Sequence, residues 1–162
     1  MAFDAFLKIE GIDGESTRKG FEKQIELISF SWGASNPTTI GSSGPGGGAG
    51  KASVSSFNCL KITDAASPPL FQACCSGKHF PKAKVTLRKA GGESPVDYLM
   101  YEFENVYIES VQWSGASGGD DRPTESLSLA FGRVTVTYTP QADQGATGSP
   151  VVGSWSVQTA SV

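Results

Sequence analysis

The stretch Gln24-Ile25-Glu26-Leu27-Ile28-Ser29-Phe30-Ser31-Trp32-Gly33-Ala34-Ser35 alternates apolar and polar residues, but the phase slips once. Ile25 and Leu27 occupy odd positions, whereas Ile28, Phe30 and Trp32 occupy even ones. A regular strand turns successive side chains to opposite faces, so one face cannot hold both sets. A β-bulge near residues 27–28 restores a single apolar face, with Ile28, Phe30 and Trp32 on the core side. Ser29, Ser31 and Gly33 are then left facing outward. The slip recurs where Leu127, Leu129 and Phe131 give way, after Gly132, to Val134, Val136 and Tyr138. A glycine inside a strand is a natural bulge residue. Two long bulged strands fit a strongly curved sheet or a closed β-barrel.

Outward from this stretch the same reading continues. Phe3, Ala5, Leu7 and Ile9 alternate with Asp4, Phe6 and Lys8 as a strand, and Gly11–Gly14 closes it as a turn. Residues 15–23 are polar and read as loop. Strand character returns over 52–62, and again near 82–89, 96–108, 108–114, 124–139 and 152–159. The spacing predicts one helix, 67–76. Ser67 is its expected cap, Pro68 lies in its first turn and Gly77 ends it. Leu70, Phe71, Cys74 and Cys75 are expected on its buried face. So short a helix is marginal alone and needs a sheet beneath it. The expected architecture is mainly β: eight or so strands in a strongly curved sheet or barrel with one helix packed on it, as a single domain over 1–162.

One register follows from the pattern. With 82–89 and 96–104 as an antiparallel hairpin, Ala83 faces Phe103, Val85 faces Tyr101 and Leu87 faces Leu99. On the other face Lys84 meets Glu102 and Lys82 meets Glu104. This answers the basic stripe of Lys82, Lys84 and Arg88 by ion pairing within the sheet, without nucleic acid.

Composition narrows the function. The net charge is −3, against the basic excess of a nucleic-acid binder. No apolar run approaches the length of a membrane helix, and Asp4 and Lys8 interrupt the N-terminus where a signal peptide would be apolar. Cys59, Cys74 and Cys75 form no Cys-x-x-Cys and read as small apolar side chains. Gly46-Gly47-Gly48-Ala49-Gly50-Lys51 superficially resembles a phosphate-binding loop. But Pro45 stands where that motif's first glycine must be, Ala52 where its hydroxyl must be, and a strand follows in place of a helix. His79 is the only histidine, and no Gly-x-Ser-x-Gly occurs. No catalytic, cofactor or metal residue is therefore expected.

Residues 36–50, rich in glycine and serine, cannot build a core and form an expected extended loop between two strands. Contacts to a neighbouring subunit or ring are expected of Ile40, Gly46, Gly47, Gly48 and Lys51.

Several segments, in this order and spacing, resemble the Hcp (haemolysin-coregulated protein) family. They are the opening Met-Ala-x-Asp-x-Phe-x-Lys-Ile, Ser31-Trp32-Gly33, Gly48-Ala-Gly-Lys51, Ser76-Gly-Lys-His-Phe-Pro-Lys-Ala-Lys-Val-Thr-Leu-Arg-Lys-Ala-Gly-Gly92 and Asp121-Arg-Pro-Thr-Glu125. The resemblance spans nearly the whole chain. It implies a phage tail-tube-like closed barrel of two sheets with one flanking helix, forming homohexameric rings stacked into the inner tube of a type VI secretion system. It implies sheath and spike proteins as partners, and secreted effector proteins carried in the lumen, against Ser29, Ser31 and Gly33. It also implies assembly in the cytoplasm, then expulsion from the cell without a signal peptide or membrane insertion. The competing expectation is a free-standing β-barrel ligand-binding module, with a small hydrolase further behind.

Overall fold

The phase slip at residues 27–28 marks a change of partner. In a computed structural model, which describes residues 3–38, 48, 50–89, 95–119, 121–141 and 148–162, the segment divides at Ile28 into β2 (Ile25–Leu27) and β3 (Ser29–Ser31). β2 pairs antiparallel with β1 (Phe3–Ile9), with Leu27 opposite Ala5 and Ile25 opposite Leu7. β3 pairs with β6 (Phe57–Ile62), with Ser29 opposite Leu60 and Ser31 opposite Asn58. Ile28 is the pivot. It is 52% exposed, not in the core as its phase predicted, because the backbone turns there and its N–H reaches across to the Leu60 carbonyl.

The remaining elements are β4 (Ala34–Ser35), β5 (Ser53–Val54), α1 (Ser67–Ser76), β7 (His79–Lys89), β8 (Asp97–Ser114), β9 (Thr124–Ala130), β10 (Arg133–Tyr138) and β11 (Val151–Ser156). Nine strands form one sheet in place of the two expected. Its path is β2-β1-β7-β8-β9-β6-β3, with β10 also on β8 and β11 on β10. The cause is β8. Its 18 residues run unbroken through the expected boundary at 108 and tie both halves together. Its first half lies between β7 and β10, and its second half pairs with β9. The division between them falls at Asn105. Asn105 adopts φ 54°, and the Gly132 N–H is shared by the carbonyls of Glu104 and Asn105. Gly132 thus ends β9 and starts β10, and a Cβ there would stand 3.2 Å from that of Asn105.

The expected hairpin register is the observed one. Ala83, Val85 and Leu87 face Phe103, Tyr101 and Leu99, while Lys84 and Lys82 face Glu102 and Glu104. The ion pair to Glu104, however, comes from Arg133, Nε to Oε2 at 3.4 Å. Among the described residues no ion pair joins Lys84 to Glu102 or Lys82 to Glu104. Exposed lysines gain little from such pairing. The apolar ladder therefore sets the register, and Arg88 is answered by Asp97 at 2.7 Å.

The core lies inside the curve. Phe57, Phe103, Leu7, Val85 and Leu129 are fully buried, each worth roughly 1.5–3 kcal/mol of burial. Half-buried Phe30, Trp32, Tyr101 and Phe131 close around them, with Phe103 and Phe131 rings 4.6 Å apart. A satellite cluster lies on the opposite face of β1. There Phe21, from the 15–23 loop, stacks on Phe6 at 4.3 Å and lies under the Arg88 guanidinium.

Helix α1 occupies the expected residues but differs at its start and face. Ser67 is its first helical residue, not its cap, and Ala66 precedes it with helical dihedrals. The entry is held by Asp64, whose Oδ1 accepts the Ala66 N–H, while Ser67 Oγ accepts the Asp64 N–H. The buried face is Ser67, Leu70 and Ala73 with half-buried Cys74; Phe71 and Cys75 are exposed. Three-residue spacing keeps Leu70 and Ala73 in line, whereas Phe71 is rotated away. Gly77 ends the helix in the left-handed region at φ 68°.

Candidate functional site

Directly opposed residues of antiparallel strands lie on one face of a sheet. The registers of β3, β6, β9 and the second half of β8 therefore sort their side chains. Phe30, Cys59, Leu127 and Val111 form one row towards the core, and Phe57, Leu129 and Ile108 form another. The opposite face carries Ser29–Leu60–Ser126–Gln112 in one row and Ser31–Asn58–Ser128–Ser110 in the next. Ser29, Ser31, Asn58, Ser126 and Gln112 are exposed. Four strands thus present a wall of hydroxyls and amides, with Leu60 and Ile62 its apolar members. A bulge between Ile108 and Ser110 turns Glu109 onto this wall. Its carboxylate accepts hydrogen bonds from Ser56 Oγ at 3.0 Å and Ser128 Oγ at 3.1 Å.

The structure places the expected site residues unequally. Ser29 and Ser31 belong to this wall. Gly33 lies beyond β3, half-buried, and its peptide is clasped by Ser55. Ser55 Oγ accepts the Gly33 N–H at 2.8 Å and donates to its carbonyl at 3.0 Å. This clasp forms the foot of a two-stranded ribbon in which Ala34 and Ser35 of β4 oppose Val54 and Ser53 of β5. The ribbon brackets residues 36–52 in the chain. Gly48 and Lys51 are exposed there, whereas Ile40, Gly46 and Gly47 lie outside the described residues.

A buried polar cluster sits under α1. Lys61 and Glu125 are cross-strand partners at core-facing positions, and they are 0% and 1% exposed. The Lys61 ammonium donates to Glu125 Oε2 at 3.1 Å and to Ser67 Oγ at 3.0 Å, and it pairs with Asp64 Oδ1 at 2.9 Å. Ser67 Oγ in turn donates to Glu125 Oε2. The cluster fastens the helix to β6 and β9. Its signal was present in the sequence: Lys61 follows Phe57 and Cys59, and Glu125 precedes Leu127 and Leu129, each in the apolar phase of its strand. Beside it, burial pushes the Cys59 thiol up to about 12, against a smaller opposing effect of the Lys61 charge.

His79 is exposed, and its Nε2 lies 3.1 Å from Asn105 Oδ1. Trp32 packs edge-on against Tyr101 and Phe103. Trp113 departs from its core phase: it lies at the open end of β8, 44% exposed, against exposed Phe71 of α1. Among the described residues no His, Cys, Asp and Glu side chains cluster as metal ligands, and no helix is long and apolar enough to cross a membrane.

The sequence model of the family described as "Type VI secretion system effector, Hcp" matches residues 6–138. The chain belongs to the Hcp family. The protein hcp1 of Pseudomonas aeruginosa is 44% identical to it over 159 residues, covering 98% of this chain and 97% of that protein. Among solved structures, one of a type six secretion system protein superposes with a TM-score of 0.92 at 37% identity, covering 98% of each chain. Hcp1 from Salmonella typhimurium superposes at 0.76 with 34% identity, covering 99% of this chain and 98% of that one. This Hcp chain is accordingly a component of a type VI secretion system with the β-rich Hcp fold.

Proposed function

We propose that this Hcp chain is the tube subunit of its secretion system, a structural and cargo-holding protein. Six copies form a ring, rings stack into a tube within the sheath and behind the spike proteins, and the tube leaves the cell with effectors inside. The hydroxyl and amide wall of β3, β6, β9 and β8 carries this reading, because a small uncharged surface meets different cargo by shape and hydrogen bonding.

Closure of the sheet into a barrel is part of the proposal. β2 and β3 end the strand path, yet Ile28 alone separates them in the chain. Ring formation needs two different patches that meet head to tail. β3 and the second half of β8 supply them as the two outer strands of the wall. Its four strands alternate in direction, so the β3 of a neighbouring copy meets β8 antiparallel. The 36–50 loop, with Lys51 beside it, contacts the adjacent subunit or ring through Ile40, Gly46, Gly47, Gly48 and Lys51.

Electron micrographs of the purified protein should show rings with an open centre, and light scattering a mass near six chains. A monomer mass at micromolar concentration refutes the proposal. Ser31→Gln, and bulk at Ser29 or Gly33, should lower effector co-purification while the ring persists.

A further inference from the structure

The wall described above is almost without charge. Among the outward-facing side chains of β3, β6, β9 and residues 107–114 of β8, Glu109 is the only ionised one. Its position is built. The strand bulges at this residue, between Ile108 and Ser110. The carboxylate is then held from two sides: Ser56 Oγ donates to both of its oxygens at 3.0 and 3.1 Å, and Ser128 Oγ donates to Oε1 at 3.1 Å. Two hydroxyls, one from β9 and one from the residue just before β6, fix one carboxylate on a surface that otherwise offers only neutral groups. Glu109 stays exposed, so it can still accept hydrogen bonds from outside.

We propose that Glu109 sets the charge preference of the lumen, which selects protein cargo presenting lysine or arginine where it touches the wall. This rests on the ring reading above. In a ring of six, the residue recurs at one height and makes a girdle of carboxylates on a neutral wall. A cavity lined by one sign of charge, with low-dielectric walls, focuses its field inward and concentrates counter-charges there. A cationic surface patch gains at this girdle; an acidic patch at the same height is repelled. The neutral hydroxyls and amides around it discriminate little by charge, so the preference resides in Glu109.

The test uses full-length rings and one small protein made in two forms, with lysines or with glutamates at the same surface positions. Each form is mixed with wild-type, Glu109→Gln and Glu109→Lys rings at low and high salt, and retention is read by size exclusion. Wild-type rings should retain the lysine form more, by about 1.5- to 5-fold for each carboxylate engaged, and salt should erase the difference. Glu109→Gln should abolish the preference and Glu109→Lys should reverse it, each with ring mass unchanged by light scattering. Intact wild-type rings that retain both forms equally, or a preference unchanged in Glu109→Gln, overturn the inference and leave the ring standing. A monomer mass for the wild-type protein instead removes the lumen, and the inference with it.

Discussion

Substitution of Lys61 by methionine should cost the fold about 3–5 kcal/mol. The magnitude follows from what the ammonium satisfies. Its three N–H groups are directed at Glu125 Oε2, Asp64 Oδ1 and Ser67 Oγ, all within 3.1 Å. Lys61 and Glu125 are essentially without solvent contact, and Asp64 retains only 9% exposure. Methionine fills the volume of the stem but leaves two carboxylates under α1 without a cation, and Glu125 Oε1 already lacks a protein partner. A buried charge without compensation is among the few causes of losses this large. Removing the more deeply buried carboxylate as well, as in Lys61→Met with Glu125→Leu, should recover part of the loss, since a well-packed apolar pair often equals a buried ion pair, while Asp64 keeps 9% exposure and the Ala66 N–H. Denaturant unfolding of wild type, both single variants and the double variant measures this as a cycle. In a chain of this size the single change corresponds to roughly 6–20 °C of melting temperature. A Lys61→Met protein within 1 kcal/mol of wild type would refute the reasoning, because water would then have to reach the cluster.

Four further outcomes are expected. With a maleimide at pH 8, Cys75 should label rapidly in the folded protein, whereas Cys59, whose thiol burial pushes up to about 12, should label only on unfolding. Because that pKa lies above the ordinary value of 9.0, the neutral thiol favours the folded state. Its contribution is complete below pH 9 and is lost as pH rises from 9 towards 12, by at most about 1.4 kcal/mol per pH unit; Cys59→Ala should flatten that alkaline decline in urea titrations. Gly14→Ala should destabilise by about 1–3 kcal/mol, read as a shifted denaturation midpoint, since its Cβ would stand 2.7 Å from the Gln24 carbonyl carbon and 2.8 Å from the Ile25 nitrogen. Deleting residues 36–50 should leave a folded protein with impaired ring stacking. Ser35 and Ser53 are strand partners, and Lys51-Ala52 would then join them as a two-residue hairpin turn; an unfolded circular dichroism spectrum would show the loop to be part of the core.

Much of the fold was legible because one face of most strands is buried, and burial writes a period of two into the sequence. The hairpin of β7 and β8 is the clearest case: every apolar pair and every Lys–Glu opposition follows from alternation. Ile28 was misread because alternation reports which face a side chain takes, not which strand its backbone meets. The chain exchanges β1 for β6 there, and a residue at the exchange belongs to neither face. Phe71 was misread because its chemistry is core-like, whereas the buried face of α1 runs through Ser67, Leu70 and Ala73 and leaves Phe71 turned outward against exposed Trp113. On the wall, Ser29 and Ser31 could be assigned from phase alone. Glu109 could not, because a bulge moves it and pattern alone does not reveal which of two successive residues will be displaced. The Lys61–Glu125 pair was visible in phase, but only the register of β6 with β9 shows that the two meet.

Asn105, at φ 54°, also divides two surfaces of opposite chemistry on the same sheet. Before it, the outward residues of β8 are Glu102 and Glu104, flanked by Lys82 and Lys84 of β7 and by Arg133 and Thr135 of β10. After it, they are Ser110, Gln112 and Ser114, flanked by Ser126 and Ser128 of β9. The strands curve round a single core, so these two outward surfaces belong to different sides of the subunit. In the proposed tube the hydroxyl side lines the lumen, and the ionic side is the exterior that meets the sheath. A charge reversal on each side separates them. Lys84→Glu disturbs only the ionic side; it is half-buried beside Lys8 and Glu102, without an ion pair to lose among the described residues, so it should leave both ring mass and cargo retention at wild-type levels. Glu109→Lys should change retention alone. If Lys84→Glu lowers retention as much as Glu109→Lys does, with rings intact, the assignment of the two sides is wrong and cargo is held on the ionic face.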